Sequence, residues 1–336
     1  MRSTIGRQIK KAFVKSSLQG WLRRGFPSHH PVIMRYHSVS QGNHLVSDGI
    51  TVPPGVFEQQ VCYFAKHFRP ILMDTLIDCV QNRRPFPENA ILLTFDDGYA
   101  DNYQAARILK KYGMTGIFYI TAGCIESEER FWVGEIHHLL GKTTKNRVRL
   151  RVRDKVFEAF LSDSTRVEPI RRLTQLIKTV DVATRENIRE QLRKQLDDVP
   201  ALENNLMLTW QQLSEMVAMG MEIGGHTMTH CNLPSATKEE AWNEVLQCRV
   251  LLEEHLGTNV RHFAYPNGGS SQYYNSRIKE FVRQAGYRSA VTSKLGVVDL
   301  GHDPFELRRI RTTEQLSDIL WEIEETRIRS AAQLRL

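Results

Sequence analysis

The chain has little cysteine, and what it has suits neither a disulfide framework nor a thiolate zinc site. There are five, Cys62, Cys79, Cys124, Cys231 and Cys248, an odd count with no CxxC pair. A disulfide scaffold is excluded and a reduced, cytosolic setting is expected. Cys231, directly after His230, is open to two readings, a metal ligand or a small packed residue. Long apolar runs are also missing. No stretch of about 18 apolar residues occurs, so no transmembrane span is expected. The first 25 residues lack the run of about 7–15 apolar residues that a secretory signal needs. They also lack any acid. They hold Arg2, Arg7, Lys10, Lys11, Lys15, Arg23 and Arg24, which equals the whole formal net charge of +7 and leaves the rest of the chain balanced. A nucleic-acid reading would rest on this arm alone, and no base-reading motif supports it. No nucleic-acid partner is expected.

Residues 1–30 read as a basic N-terminal arm. Ile5, Ile9, Ala12 and Phe13 recur at helical spacing, while Leu18, Trp21 and Leu22 form a second cluster rotated off that face. The first cluster, flanked by basic residues, is the pattern of a helix lying on an anionic membrane surface. A solvated tail is the alternative, and a transit peptide shares the composition. The expected location is cytoplasmic, with peripheral contact on the inner face of the membrane as a further option.

What is present from residue 31 onward is an alternation of short apolar strands and helical segments. At 336 residues, 41% of them apolar, the chain can bury a single large core. PVIMRYH (31–37), residues 90–95, 116–120, MEIGG, HFAYP, YRSAVTS and FELRRI read as strands. Thr209 with Gln212 and Thr237 with Glu240 have capping-box spacing and start helices. About seven β–α units imply parallel strands with helices outside. The expected fold is α/β, a distorted (β/α)7 barrel over residues 31–330. Residues 131–206 break the rhythm and read as a mainly helical insertion. Within it VRLRVRDKVFEAF (148–160) has a half-exposed strand pattern; the arginines of the insertion read by default as a solvated face, with contact to an anionic part of the substrate as the alternative.

The chemistry concentrates in ILLTFDDGYADNY (91–103). Asp96 and Asp97 end a buried strand side by side, and two like charges there demand a cation. In parallel α/β folds the strand C-termini form the ligand crevice. EIGGHTMTH (222–230) supplies another strand end, with His226 and His230 at the i, i+4 spacing that puts two imidazoles on one side of a helical turn. Asp97, His226 and His230 would make a two-histidine, one-carboxylate site for a divalent metal, leaving Asp96 free as a base.

Here a family resemblance becomes visible. TFDDG (94–98), HTMTH (226–230) and FAYPNGG (263–269), in this order, closely resemble the polysaccharide deacetylases, the family 4 carbohydrate esterases with the NodB homology domain. MRYHSV (34–39) and LRRI (307–310) resemble the bacterial branch that opens with a Tyr-His strand. The resemblance implies a distorted (β/α)7 barrel that removes acetyl groups from acetylated amino sugars in a polysaccharide or lipid-linked glycan. It implies Asp96 as general base and Asp97, His226 and His230 as metal ligands. Zn²⁺ is the first choice of ion, with Co²⁺ or Ni²⁺ as alternatives. It further suggests a backbone N–H of Tyr265 as oxyanion donor. The departing amine needs a general acid. The late histidine that many members use is missing, since none follows His302. His37, from the Tyr-His strand, is the expected substitute, with His302 behind it. Arg309, at the family's late Pro-Arg-Ile position but preceded by Arg308 instead of proline, is expected to hold Asp96. His137, His138, His255 and His262 read as structural or surface residues. Two other functions stay open: a non-catalytic carbohydrate-binding protein on the same fold, and a hydrolase of O-acetyl esters or other amides.

The arm yields its own prediction. Deleting residues 1–25 should weaken sedimentation with anionic vesicles and spare activity on a soluble substrate; equal vesicle binding by both forms removes the membrane reading.

Overall fold

The computed structural model describes residues 28–42, 49–127, 130–162, 166–202, 206–268 and 272–333, so the basic arm lies outside the described residues. The strands are β1 (Val32–Tyr36), β2 (Arg69–Pro70), β3 (Ala90–Phe95), β4 (Gly116–Ile120), β5 (Arg147–Val152), β6 (Lys155–Phe160), β7 (Glu222–Gly225), β8 (His262–Ala264), β9 (Ser289–Val291) and β10 (Ile310–Arg311). The helices are α1 (Pro54–His67), α2 (Met73–Asn82), α3 (Asn102–Lys111), α4 (Trp132–Lys142), α5 (Val167–Ile177), α6 (Val182–Gln195), α7 (Trp210–Ala218), α8 (Lys238–Leu256), α9 (Ser276–Gln284) and α10 (Leu316–Gln333). Both expected capping boxes form, at Thr209–Gln212 before α7 and Thr237–Glu240 before α8.

The main sheet runs β10-β1-β3-β4-β7-β8-β9, with β2 paired to β3, and its pairs are parallel. Its two ends meet. Val291 bridges Leu307; the Leu307 N–H donates to the Ala290 carbonyl at 3.0 Å and the Thr292 N–H to the Leu307 carbonyl at 2.9 Å. Three residues on, Ile310 pairs with Met34 of β1. Residues 307–311 therefore serve β9 with one half and β1 with the other, which closes seven strands into the distorted (β/α)7 barrel. The expected FELRRI strand is cut to Ile310–Arg311 because its first half switches partners.

Strand residues alternate between two cores, as the period of 2 requires. One side packs against the helices; there Phe95 stacks between Tyr36 and Phe118, with ring centroids 5.2 and 4.4 Å away. The other side fills the barrel. Ile33, Leu92, Ile117, Val291 and Leu307 form one apolar cluster with Leu76, Ile77 and Val80 of α2, so that helix plugs the base. A polar knot fixes the start of the plug. The Met73 N–H donates to Glu222 at 2.8 Å, while Asp74 accepts from Arg261 and Arg288 at 2.6 Å each and lies 3.3 Å from His262 Nε2. His262 is thus structural, at the end of the barrel opposite the strand C-termini.

The insertion is more folded than its sequence pattern indicated. Residues 148–160 do not make one strand. They form the β5–β6 hairpin, which turns at Arg153 with φ 55°. Gln191 and Gln195 of α6 then bond the free edge of β5 at the backbone of Arg151 and Arg149, which covers an edge that would otherwise template foreign strands. The arginines split. Arg149 and Arg151 are exposed as expected, but Arg185 and Arg189 are buried. Arg189 donates to Glu135 at 2.6 Å and so ties α6 to α4.

His262 and Arg261 hold the Asp74 carboxyl well below the usual carboxylate range, against the opposing effect of burial. A carboxylate depressed on folding adds stability above its unfolded pKa of about 4, and that stability is lost as pH falls through the lower folded value. Asp74→Asn should therefore lower the thermal midpoint at neutral pH, with the gap to wild type narrowing below about pH 4. A gap that stays constant into that acid range would show that the knot does not act through charge.

Candidate active site and metal centre

β3 delivers the paired carboxylates to the C-terminal rim. The sequence suggested a turn at Gly98; the structure starts it one residue earlier, with Asp97 itself at φ 79° and Gly98 at φ 87°. A left-handed Asp reverses the strand alternation, so Asp96 and Asp97 both face one cavity. A Cβ on Gly98 would also press on Ile120, at 3.3 Å. The two histidines meet by another route than expected. Residues 226–230 form no helical turn. They make an irregular loop in which Thr227 (φ 67°) and His230 (φ 54°) are left-handed, and this fold-back replaces the i, i+4 geometry.

Both imidazoles point at Asp97. His226 Nε2 and His230 Nε2 each lie 3.3 Å from its Oδ1, and one ligand atom from each of the three residues falls within 4.8 Å of the others. The His226 Nδ1 atom is 2.7 Å from the Ala264 carbonyl. A carbonyl only accepts, so Nδ1 carries a proton and Nε2 is the nitrogen turned toward the carboxylate. With Nε2 unprotonated two acceptors would face each other there, and a metal ion between them would resolve that. Ligand atoms at the usual 2.0–2.1 Å from tetrahedral zinc are about 3.4 Å apart, close to the spacings found. These three residues therefore fit a divalent ion. Glu244 of α8 accepts from the Thr229 N–H at 2.8 Å, Arg185 donates to the Thr229 carbonyl at 3.0 Å, and the Trp132 indole N–H donates to the His230 carbonyl at 3.2 Å. Two of those three supports come from the insertion. Cys231 is buried, with its thiol pushed far up by that burial, and stands outside the ligand group.

Asp96 meets a different cation. Arg309, 2% exposed, donates from Nη1 and Nη2 to the two carboxylate oxygens at 2.7 Å each. Its Nε–H donates to the Thr292 carbonyl at 2.9 Å. Burial alone would raise the Asp96 pKa; Arg309 outweighs it and holds the group at about 2. His37 Nε2 stands 3.8 Å from Asp96 Oδ2, in the same cavity, and burial brings the imidazole down to about 4.

Tyr265 is a correction. Its N–H donates to the Val291 carbonyl at 3.2 Å, continuing the β8–β9 ladder, and its ring is buried with the hydroxyl on the Phe305 carbonyl. That N–H is committed and cannot serve an oxyanion. His302 bonds the Asp299 N–H and does not line the cavity. Residues the sequence did not single out complete the site. Asp101 accepts from the Val39 N–H at 3.0 Å, and Asn102 donates to the His37 carbonyl at 2.7 Å, so the end of the TFDDGYADN stretch holds the His37 loop. Asn267 lines the cavity at φ 74°, and both polar atoms of its side chain are buried without a partner. The Asn-Gly pair signalled a turn, but nothing in the sequence showed an unpaired amide. The cavity, of about 450 Å³, also takes in Arg35, Lys178 and Arg311.

The class is thereby defined: a closed parallel barrel carrying a two-histidine, one-carboxylate group on its C-terminal rim, with an arginine-held carboxylate beside it. The sequence profile described as polysaccharide deacetylase matches residues 83–290, and the chain belongs to that family. It is 23% identical over 313 residues to YxkH of Bacillus subtilis (strain 168), across 92% of this chain and 80% of that protein. Among solved structures, the Streptococcus pyogenes deacetylase PplD aligns with a TM-score of 0.59 at 19% identity, over 89% of this chain and 98% of that one. IcaB from Ammonifex degensii aligns with a TM-score of 0.57 at 19% identity, over 89% and 97%. At these identities the likeness carries the fold.

Arg309→Met should remove both bonds to Asp96 and leave a buried carboxylate unpaired, at a cost of about 3–5 kcal/mol, while the bound metal content is kept. Urea unfolding with parallel metal analysis checks this. A loss under about 1 kcal/mol would mean that the pair is screened as surface pairs are.

Proposed function

We propose that the chain hydrolyses N-acetyl groups from an acetylated amino sugar in a polysaccharide or lipid-linked glycan. Asp97, His226 and His230 would hold a divalent ion, Zn²⁺ first. The observation that carries the reading is the convergence of those three side chains, with the His226 proton fixed on the far nitrogen by Ala264. When bound, such an ion supplies Lewis acidity to the acetyl carbonyl and brings the pKa of a water from near 16 to about 7. The remaining work falls to the protein. A carboxylate offers about four acceptor positions, and Arg309 occupies two on Asp96, so Asp96 still has room to take a proton from the attacking water. Arg309 also fixes which way that carboxylate points. The amine must leave protonated. His37, 3.8 Å from Asp96, is the cavity group placed to pass on to the amine the proton that Asp96 takes from water, and the burial that lowers its pKa makes its charged form a ready donor once that proton arrives. With Tyr265 committed to the sheet, the unpartnered Asn267 amide is the neutral donor available to the acetamido carbonyl. The same reading keeps the chain cytoplasmic, with residues 1–25 as its contact to an anionic membrane face; the free state of the five cysteines supports the compartment.

Asp96→Asn should retain metal and lose acetate release from acetylated glucosamine oligomers by at least about a hundredfold. Asp97→Ala and His230→Ala should lose both metal and turnover, and a chelator should abolish wild-type release. Normal acetate release by Asp96→Asn would overturn its assignment as base.

A further inference from the structure

The cavity over the paired carboxylates holds more positive charge than a neutral acetylated sugar requires. Arg35 of β1 and Arg311 of β10 are register partners on adjacent parallel strands, and both line it. Arg309, two residues before Arg311, is already committed to Asp96 through both of its terminal nitrogens. Arg311 has one donor on the Gly49 carbonyl at 2.6 Å. Arg35 is half-buried and makes no ion pair among the described residues; its Nε is buried without a hydrogen-bond partner. Burial above all, with repulsion from Arg309 and Arg311, brings its guanidinium down to about 10, against only a partial offset from Asp96. Lys178, at the C-terminal end of α5 in the insertion, lines the same cavity half-buried, and forms no ion pair among the described residues.

The charge balance has a plain reading. Asp96 is neutralised by Arg309, and Asp97 would be neutralised by the ion. Among the described residues, Arg35, Arg311 and Lys178 are then left without an acid. A half-buried guanidinium is costly unless a partner arrives, and its flat fork matches an oxyanion. We propose that the substrate brings this partner: the sugar that loses its acetyl group carries, on itself or on the adjoining unit, a phosphoryl or carboxylate group that docks on Arg35 beside Arg311. The inference rests on the deacetylase reading and adds to it the substrate class. Phosphate and carboxylate share the chemistry, and the test separates them.

The metal-loaded full chain would be assayed for acetate release on three soluble compounds: methyl N-acetylglucosaminide, N-acetylglucosamine 1-phosphate and N-acetylmuramic acid. Wild type should favour one anionic compound over the neutral one by about tenfold or more in kcat/KM, mainly through KM, in line with a charged hydrogen-bonded contact. Added salt should shrink that ratio. In Arg35→Met the ratio should collapse toward one, and Arg35→Lys should restore part of it; Arg35→Gln keeps the comparison open should the methionine variant fail to fold. Which anion wins names the source. Calorimetric binding of the two anionic compounds to wild type and to the Arg35 variants gives a readout that needs no turnover. A wild type without preference, or equal affinity for the anions in wild type and Arg35→Met, would overturn the inference. Absence of acetate release from all three and from acetylated glucosamine oligomers, with binding still dependent on Arg35, would support the anion site and overturn the deacetylase reading alone.

Discussion

Two carboxylates placed side by side at the end of a buried strand cannot both stay charged unless each meets its own cation. That constraint organises the site. Asp96 is met by Arg309, which comes from the strand that closes the ring. Asp97 is met by the Nε2 atoms of two imidazoles, His226 and His230, an arrangement that fits an ion between the three side chains. The two solutions differ in reversibility. The guanidinium is covalently part of the chain and permanently charged; an ion held by Asp97, as proposed, would be exchangeable. One carboxylate is therefore a fixed fitting and its neighbour a socket.

The cost of building the site shows in its backbone. Asp97, Thr227, His230 and Asn267 all occupy left-handed conformations that L residues rarely adopt, and such strain persists only where the surroundings over-determine it. Here the surroundings include the insertion. Arg185 and Trp132 grip the loop between the two histidines from outside the barrel. A segment that interrupts the β–α rhythm in sequence thus acts as one wall of the catalytic cavity.

Much of this was legible in the sequence, for reasons that can be stated. Caps at Thr209 and Thr237 involve residues three apart, and strand alternation at residues 90–95 is a property of one short stretch; both survive tertiary folding unchanged. The grouping of Asp97, His226 and His230 was legible because strand C-termini share a rim in any parallel barrel. What failed to show depended on register or long-range packing. Tyr265 was assigned a free N–H, yet its pairing with Val291 is fixed by how β8 slides against β9. The i, i+4 reading of His226 and His230 assumed a helical turn that two left-handed residues replace. The hairpin over residues 147–160 turns at Arg153–Asp154, a pair that gives no strong turn signal. The burial of Arg185 and Arg189 is not legible in the sequence, because a buried charge becomes visible only once Thr229 and Glu135 are in place to receive it.

The ring closure carries one more consequence. Asp96 and Arg309 are 213 residues apart, and Arg309 enters with the strand that seals the barrel. During synthesis the acidic pair therefore leaves the ribosome long before its guanidinium exists, and no native-like pocket can assemble around a growing chain that stops short of the closing strand. A truncated product would keep the TFDDG, HTMTH and FAYPNGG motifs and lack the charge that holds Asp96.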